Sequence, residues 1–387
     1  MHPVYEYIVA VVILFLVLSY SFYALNTTIA NKISLVREGQ LKDVANRLFN
    51  KILYTPGYPY NWGSDIYINE SNLKDFGLHT IAGDLQKVDI DKLTRLKYDF
   101  NGVINPLYIP PETVGRLLGI YKDGYWLYGF RLIIQSALNI TIKHESDYGL
   151  PLKYSIEIVD YVGKKASNAL VKGSLFAVYL IKTQNNNITI DYVRCNSINI
   201  TDISGNTIIT FNNPDIPNNA LNVTYILLVT ANYYGLQSQA IEVINETVNL
   251  VNIGNYLIVD LNDLDLSSKN ITNIVAIEFT TDLNIVLNPV MNVTDKLDSL
   301  INKDEFNYQI YKLTNPITED IIFTGLFIAT SKSTHLFFAP RPRTPLALDY
   351  RTHLFPVAGL KTETVYGLFR ISDNVYYAQL TVWRMSE

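Results

Sequence analysis

The stretch from Tyr7 to Leu25 constrains this chain more than any other. It carries no charge and is almost wholly apolar, and about 20 such residues suffice to cross the hydrocarbon core of a bilayer as a helix. No polar face interrupts it, as one would in a helix of a soluble domain. Tyrosines lie at both ends, where aromatic rings favour the membrane–water interface. The sequence therefore predicts a transmembrane anchor over residues 1–30.

A cleavable signal peptide is the alternative for this stretch. Such a peptide has a basic segment followed by a shorter apolar run and a small-residue cleavage site. Residues 1–6 contain no Lys or Arg, and the apolar run is long. A retained anchor is the preferred interpretation, and cleavage after the span stays open.

Residues 31–55 are predicted to continue as an amphipathic stalk helix. Apolar residues recur at spacings of mostly three and four, which is the helical period: Ile33, Val36, Leu41, Val44, Leu48 and Ile52. Charged residues occupy the remaining positions: Lys32, Arg37, Lys42, Asp43, Arg47 and Lys51. Gly39 weakens the middle of this helix, and Pro56 ends it, because a residue before proline avoids the helical region.

Composition limits the function classes. The net charge is −5 and no basic patch stands out, which argues against nucleic acid as a partner. A single cysteine, Cys195, excludes an internal disulfide and any Cys-based zinc cluster. The roughly 330 residues after the anchor are enough for two or three domains of ordinary size.

From Tyr128 onward, short β-branched and aromatic runs alternate with Gly, Asn and Pro turns, a pattern typical of β-sandwiches. The predicted fold class is mainly β with a long N-terminal helix: a transmembrane helix and stalk followed by β-sandwich-type domains. The predicted domains after the stalk are a mixed α/β linker lobe (56–135), a sandwich (136–240) and a C-terminal β-rich domain (241–387). Short helices are expected within the lobe, near residues 91–96 and 111–118.

Two observations disagree about which side of the membrane holds the domains. Basic residues follow the span and none precedes it, so the positive-inside rule favours the cytoplasm. Sequons of the Asn-x-Ser/Thr type favour the outside; their asparagines are Asn26, Asn69, Asn139, Asn187, Asn199, Asn222, Asn245, Asn270 and Asn292. Long domains are translocated with little regard for flanking charge. We therefore expect the large domain to be extracellular.

The first 118 residues resemble archaeal membrane-anchored surface proteins with a type IV pilin-like N-terminus. The resemblance rests on the uncharged span after Glu6, the amphipathic helix, the segment Leu53-Tyr54-Thr55-Pro56-Gly57-Tyr58-Pro59-Tyr60-Asn61-Trp62-Gly63, then Phe76-Gly77-Leu78 and Asp91-Lys92-Leu93. In pilins, a Glu near the start of the apolar segment pairs with the amino terminus of a neighbouring subunit. The resemblance thus implies an assembly role for Glu6, and an interfacial charge is the alternative. A basic leader and a prepilin cleavage motif are not present before it.

The central part is similar to immunoglobulin-like or transthyretin-like surface modules. The similarity rests on the segments 163–171, 201–207 and 227–235. Such modules serve many functions, so the resemblance implies an architecture only.

Three segments were candidates for chemistry. His144-Glu145 offers a ligand or a base, Asp260-Leu261-Asn262-Asp263-Leu264-Asp265 offers oxygen ligands for Ca²⁺, and Pro340-Arg341-Pro342-Arg343-Thr344-Pro345 offers guanidinium groups to an anionic partner. The preferred interpretations are an exposed turn, a solvated strand-end loop and an intramolecular contact, respectively. The sequence contains no H-E-x-x-H or G-x-S-x-G motif, and neither the G-x-x-x-x-G-K-[ST] nor the G-x-G-x-x-G loop of nucleotide-binding proteins. No catalytic residue, cofactor or metal site is predicted.

The sequence therefore predicts a non-catalytic, single-pass protein of the cell surface with a structural or interaction role. Its expected partners are the lipid bilayer and either other envelope proteins or further copies of itself. A pilin-like filament subunit is the first alternative. A cell-surface hydrolase is the second, and it requires two carboxylates facing each other across a cleft.

Overall fold

A computed structural model of the chain describes residues 3–81, 87–100, 103–145, 152–182, 188–244, 250–260, 271–279, 284–292, 308–315, 324–330, 334–339, 347–352, 360–371 and 373–385. Over these residues the protein is mainly β, with antiparallel sheets and one long apolar N-terminal helix. The predicted fold class is confirmed at this level.

Three helices are present in the described residues: α1 (Pro3–Tyr54), α2 (Ile90–Thr94) and α3 (Pro111–Leu117). The helix α1 ends just before Pro56, as the sequence predicts. The Asp89 side chain begins α2 by accepting hydrogen bonds from the backbone N–H groups of Asp91 and Lys92. Pro111 lies in the first turn of α3, where its missing N–H costs nothing.

The strands follow in two series. The first is β1 (Asp99–Phe100), β2 (Val103–Ile104), β3 (Tyr121–Lys122), β4 (Tyr125–Trp126), β5 (Tyr128–Ser136), β6 (Leu138–His144), β7 (Lys153–Asp160), β8 (Leu170–Lys182), β9 (Ile188–Ile200), β10 (Asn206–Thr210), β11 (Ala220–Tyr233) and β12 (Leu236–Ile244). The second is β13 (Leu250–Ile253), β14 (Tyr256–Asp260), β15 (Ile271–Phe279), β16 (Ile285–Asn292), β17 (Tyr308–Leu313), β18 (Thr324–Thr330), β19 (Thr334–Ala339), β20 (Leu348–Arg351), β21 (Thr362–Ile371) and β22 (Asn374–Arg384).

The first body of the protein is built on a four-stranded sheet with the order β20-β5-β22-β21, here called the docking sheet. Side chains along its central strands alternate between the two faces of the sheet. Phe130, Leu132 and Ile134 of β5 therefore share one buried face with Ala378 and Leu380 of β22. The second half of α1 and the residues around α2 and α3 pack on this face.

The docking sheet crosses the predicted domain boundaries. Residue 132 pairs with residue 350 on one side and with residue 380 on the other. The sequence predicts that β5 belongs to the lobe 56–135 and that strands β20 to β22 belong to a separate domain 241–387. Strand patterns are local, whereas this pairing joins strands more than 200 residues apart, so the composition along the chain carries no signal of it.

The second body stacks sheets on one another. A three-stranded sheet (β10-β7-β6) shares a core with one face of a four-stranded sheet (β12-β11-β8-β9). The opposite face of the four-stranded sheet packs on β15 and β19 of a seven-stranded sheet with the order β13-β14-β17-β16-β15-β18-β19. Because both faces of β8 and β11 are covered, their middle residues are continuously apolar and buried instead of alternating.

The two bodies meet in two places. Ile66 and Leu107 of the first body pack on β13, β14 and β17 of the seven-stranded sheet, and the chain itself passes from one body to the other where β5 continues into β6. Ser136 and Ser238 share a buried hydrogen bond of 2.8 Å between their hydroxyl groups, and the Leu138 N–H donates to Ser238 Oγ at 3.1 Å. Nearby, the ring of Tyr161 stacks on that of Tyr377, with the centroids 4.7 Å apart. These contacts hold the sandwich-like part at the end of the docking sheet.

Candidate functional site: the apolar helix and its docking sheet

The first half of α1 is an apolar helix that is exposed along residues 7–29. Residues 7–29 form a stretch of 23 residues that is long and apolar enough to cross a membrane, and none of it is buried. At 1.5 Å per residue it spans about 34 Å, against about 30 Å for a bilayer core. An apolar surface of this length, left bare, is suited to lipid contact.

The second half of the same helix is docked. Leu41, Leu48 and Ile52, all members of the predicted stripe, are buried against the docking sheet. Phe49 is also buried, and it approaches strand β21 closely: a Cβ placed on Gly367 would lie 3.2 Å from the Cζ atom of Phe49. The glycine therefore lets helix and strand come together. The sequence pattern missed Phe49, because it falls between two stripe positions.

Charged residues line the exposed side of the docked helix, as predicted. Lys42 and Arg47 face solvent, while Lys51 Nζ pairs with Asp75 Oδ2 at 2.6 Å. Nearer the apolar half, Glu38 pairs with Lys361, the residue that precedes β21. Surface ion pairs contribute little stability, so these contacts orient the helix more than they hold it. The side chains of Ile33 and Val36 lie outside the described residues.

Two buried cations fix the chain that leaves the docked helix. The Arg95 guanidinium donates to the carbonyls of Trp62 and Ile68 and, at 3.1 Å, to that of Leu107. Lys92 Nζ donates to Pro56 O at 2.7 Å and to His79 O at 2.8 Å. Both residues are fully buried. They tie the turn-rich segment after α1 to the short helix α2.

Burial perturbs the titration of this group. Desolvation lowers the pKa of Lys92 to about 8 and that of Arg95 to about 10. Burial and the nearby Asp91 raise the pKa of Asp89 to about 6. Perturbed values of this kind also occur in active sites. Here, however, the cations are enclosed and donate hydrogen bonds to backbone carbonyls, so they stabilise the fold. Lys92 and Arg95 with these carbonyls are called the brace below. This arrangement is not among the features that the sequence predicts.

The sequons fall into distinct environments. Asn139, Asn199 and Asn222 are exposed on β6, β9 and β11. Asn69 is half-buried, and its Oδ1 accepts from two backbone N–H groups of its own turn. Asn26 lies within the apolar stretch. Asn187, Asn245 and Asn270 lie outside the described residues, and Asn292 ends β16 with a side chain that is not described.

The remaining predicted sites make ordinary contacts or are not described. Glu6 lies in α1, without a described side chain. The ring of His144 lies 5.4 Å from that of Tyr154, and Glu145 pairs with Lys153 at 3.3 Å. Residues 261–265 of the acidic cluster and the whole segment 340–345 fall outside the described residues. In the part of the chain that is described, no group of three or more His, Cys, Asp or Glu residues is placed to hold a metal ion.

No protein-family model matches the chain, and no curated protein matches it significantly. The resemblances to pilin-like anchored proteins and to immunoglobulin-like modules therefore stay predictions.

Proposed function

We propose that the protein is a non-catalytic, single-pass, membrane-anchored protein of an archaeal cell surface, with a structural or interaction role. The observation that carries this proposal is the division of α1: its first half is bare and apolar, and its second half is built into the first body. One continuous helix thus connects a bilayer to the folded bodies without a flexible joint in between. The facing sheets of residues 138–244 support an immunoglobulin-like β-sandwich as the displayed part.

The proposed orientation places both bodies outside the cell. The exposed sequons Asn139, Asn199 and Asn222 support it, because an acceptor asparagine must be accessible to be modified. Lys32 and Lys42, exposed after the span, argue for the opposite orientation. The expected partners are the bilayer and other envelope proteins.

A pilin-like subunit is the second candidate. It is favoured by the continuity of α1, which runs through 52 residues with its apolar half free to pack against other copies. In that case Glu6 would pair with the amino terminus of a neighbouring subunit.

Expression of the full chain, and of a variant that begins at residue 31, tests the proposal. We expect the full chain to float with membranes and the shortened chain to be soluble. Protease treatment of intact cells should degrade the bodies, and Asn139→Gln should lower the intact mass by one glycan. A shortened chain that still floats would refute the single anchor, and bodies protected in intact cells would refute the orientation. Filaments that contain the chain would favour the second candidate.

A further inference from the structure

We propose that the end of the first body nearest the apolar half of α1 rests on the bilayer surface. This end would be a second, peripheral membrane contact. This end carries three exposed apolar side chains, Tyr125, Leu127 and Leu360, here called the rim. The inference rests on the proposed anchor, because the anchor determines where the bilayer lies. It adds that the body is held against the membrane and does not stand clear of it on a stalk.

The position of the rim follows from the way in which helix and sheet run side by side. Glu38 of α1 pairs with Lys361 at the start of β21, and Phe49, eleven residues later, meets Gly367 of the same strand. Strand β21 therefore runs in the same direction as α1, away from the apolar half. Its start, Thr362, pairs with Trp383 near the end of β22, which in turn pairs with Gly129 near the start of β5.

The rim residues adjoin these strand ends. Leu360 comes shortly before β21, and Leu127 comes directly before β5. The backbone of Leu127 is fixed from both sides: its N–H donates to Ile120 O at 2.8 Å, and its carbonyl accepts from the N–H of Met385 at 3.2 Å. Tyr125 lies on β4, in the hairpin that leads into Leu127. The rim therefore lies at the end of the docking sheet from which the apolar half of α1 emerges.

The distance to the bilayer is short enough for contact. Nine residues of helix separate Ile29 from Glu38, about 14 Å of rise. The headgroup region covers roughly 6 Å of that on each side of the hydrocarbon core. Membrane helices tilt by about 20° on average, and β5 lies about 10 Å beyond β21, itself packed about 10 Å from the helix axis. Because these two offsets are perpendicular, β5 lies about 14 Å from the helix axis, and a tilt of this size toward the sheet lowers the rim by about 5 Å. The exposed side chains of the rim reach across the few ångströms that remain.

The chemistry of the rim fits a bilayer interface. Tyr125 is 77% exposed, Leu127 45% and Leu360 37%, and tyrosine favours a boundary where one end of its ring is apolar and the other wet. Lys122 lies beside Asp123 in the same hairpin, and both are exposed. Their charges offset each other, but Arg384, exposed opposite Tyr128, adds one positive charge. We therefore expect the contact to form on zwitterionic lipid and to be stronger on anionic lipid.

Depth-dependent quenching of a fluorescent label tests the contact in the full chain. Cys195 is the only cysteine, so Cys195→Ser provides a background for Leu127→Cys and for the control Leu221→Cys. Leu221 is matched in exposure at 44%. It lies at the end of β11 remote from the Ser136–Ser238 contact: Ala231, which pairs with Ser238, is ten residues or about 33 Å away along the strand. Each variant is labelled, reconstituted into lipid nanodiscs of either charge type, and quenched with nitroxide lipids labelled at the headgroup.

We expect several-fold more quenching at position 127 than at position 221, in both lipid types. Equal, low quenching at the two positions, in protein that is incorporated into nanodiscs, would overturn the peripheral contact and leave the anchor intact. Failure to incorporate would overturn the anchor itself. Nanodiscs with two copies, in which position 127 is shielded from headgroup quencher, would assign the rim to a contact between copies and would also overturn the proposal.

Discussion

Removing the Phe49 ring should weaken the first body more than any other change to the docked helix. Phe49 is 5% exposed, and it faces Gly367, which has no side chain that could move into the space left behind. A buried Phe→Ala substitution costs about 3–5 kcal/mol. Because the backbone of β21 cannot fill the void, we expect Phe49→Ala to lie in the upper part of that range.

The glycine provides a way to test the geometry as well as the burial. A methyl group on Gly367 would lie 3.2 Å from the Phe49 ring, which is tight. In the Phe49→Ala background the same methyl group would partly refill the void. Gly367→Ala should therefore be more favourable in the double variant than alone, with a coupling energy of about 1 kcal/mol.

Tryptophan fluorescence reports on this body specifically. The chain has three tryptophans: Trp62 and Trp126 belong to the core around α1, and Trp383 lies on the docking sheet. Urea titrations of the full chain in mild detergent, followed by this signal, measure the free energy of unfolding of the first body.

The control is Asn50→Ala, the exposed neighbour of Phe49, which should change the free energy of unfolding by less than about 0.5 kcal/mol. Equal effects of Phe49→Ala and Asn50→Ala, or additive effects of Phe49→Ala and Gly367→Ala, would refute the docked arrangement.

Three further changes test the brace and the stalk. Asp89→Asn keeps a helix cap but removes a carboxyl whose pKa rises from 3.8 to about 6 on folding. The native state holds that proton more tightly, so the wild-type stability relative to the variant should fall by about 2 kcal/mol as the pH rises from 4 to 6; parallel pH profiles in urea titrations would contradict this. Arg95→Lys retains the charge but loses the planar fork and should cost about 3 kcal/mol; full stability in the same titration would exclude the brace. Gly39→Ala, where a Cβ meets nothing within 4 Å, should stabilise the exposed helix by about 1 kcal/mol, and unchanged amide exchange around residue 39 would argue against a helix there.

Features with a short sequence period were predictable. The helix over residues 3–54 follows from an apolar run and a stripe at helical spacing, and its end follows from Pro56. The short helices near 91–96 and 111–118 were found at Ile90–Thr94 and Pro111–Leu117. Strands such as Tyr256–Asp260 and Asn374–Arg384 fall in the part from Tyr128 onward, for which the sequence predicts strands.

Features that depend on distant parts of the chain were not predictable. The boundary between lobe and C-terminal domain was drawn where local patterns change, yet Leu132 lies between Tyr350 and Leu380 in one sheet. The brace was missed for a related reason. The buried Arg95 donates to carbonyls from three separate segments. An arginine in a sequence gives no indication that three distant carbonyls will surround its guanidinium.

The apolar helix fit for a bilayer and the predominance of strands can be read from the order of the amino acids. Both follow from interactions between residues a few positions apart, which repeat with a fixed period. The packing of the last strands of the chain against the first helix, with the rim at the same end of the sheet, becomes visible only in the assembled fold. Such contacts depend on which of many similar strands pair, and that choice is made by the burial of complementary faces across the whole chain.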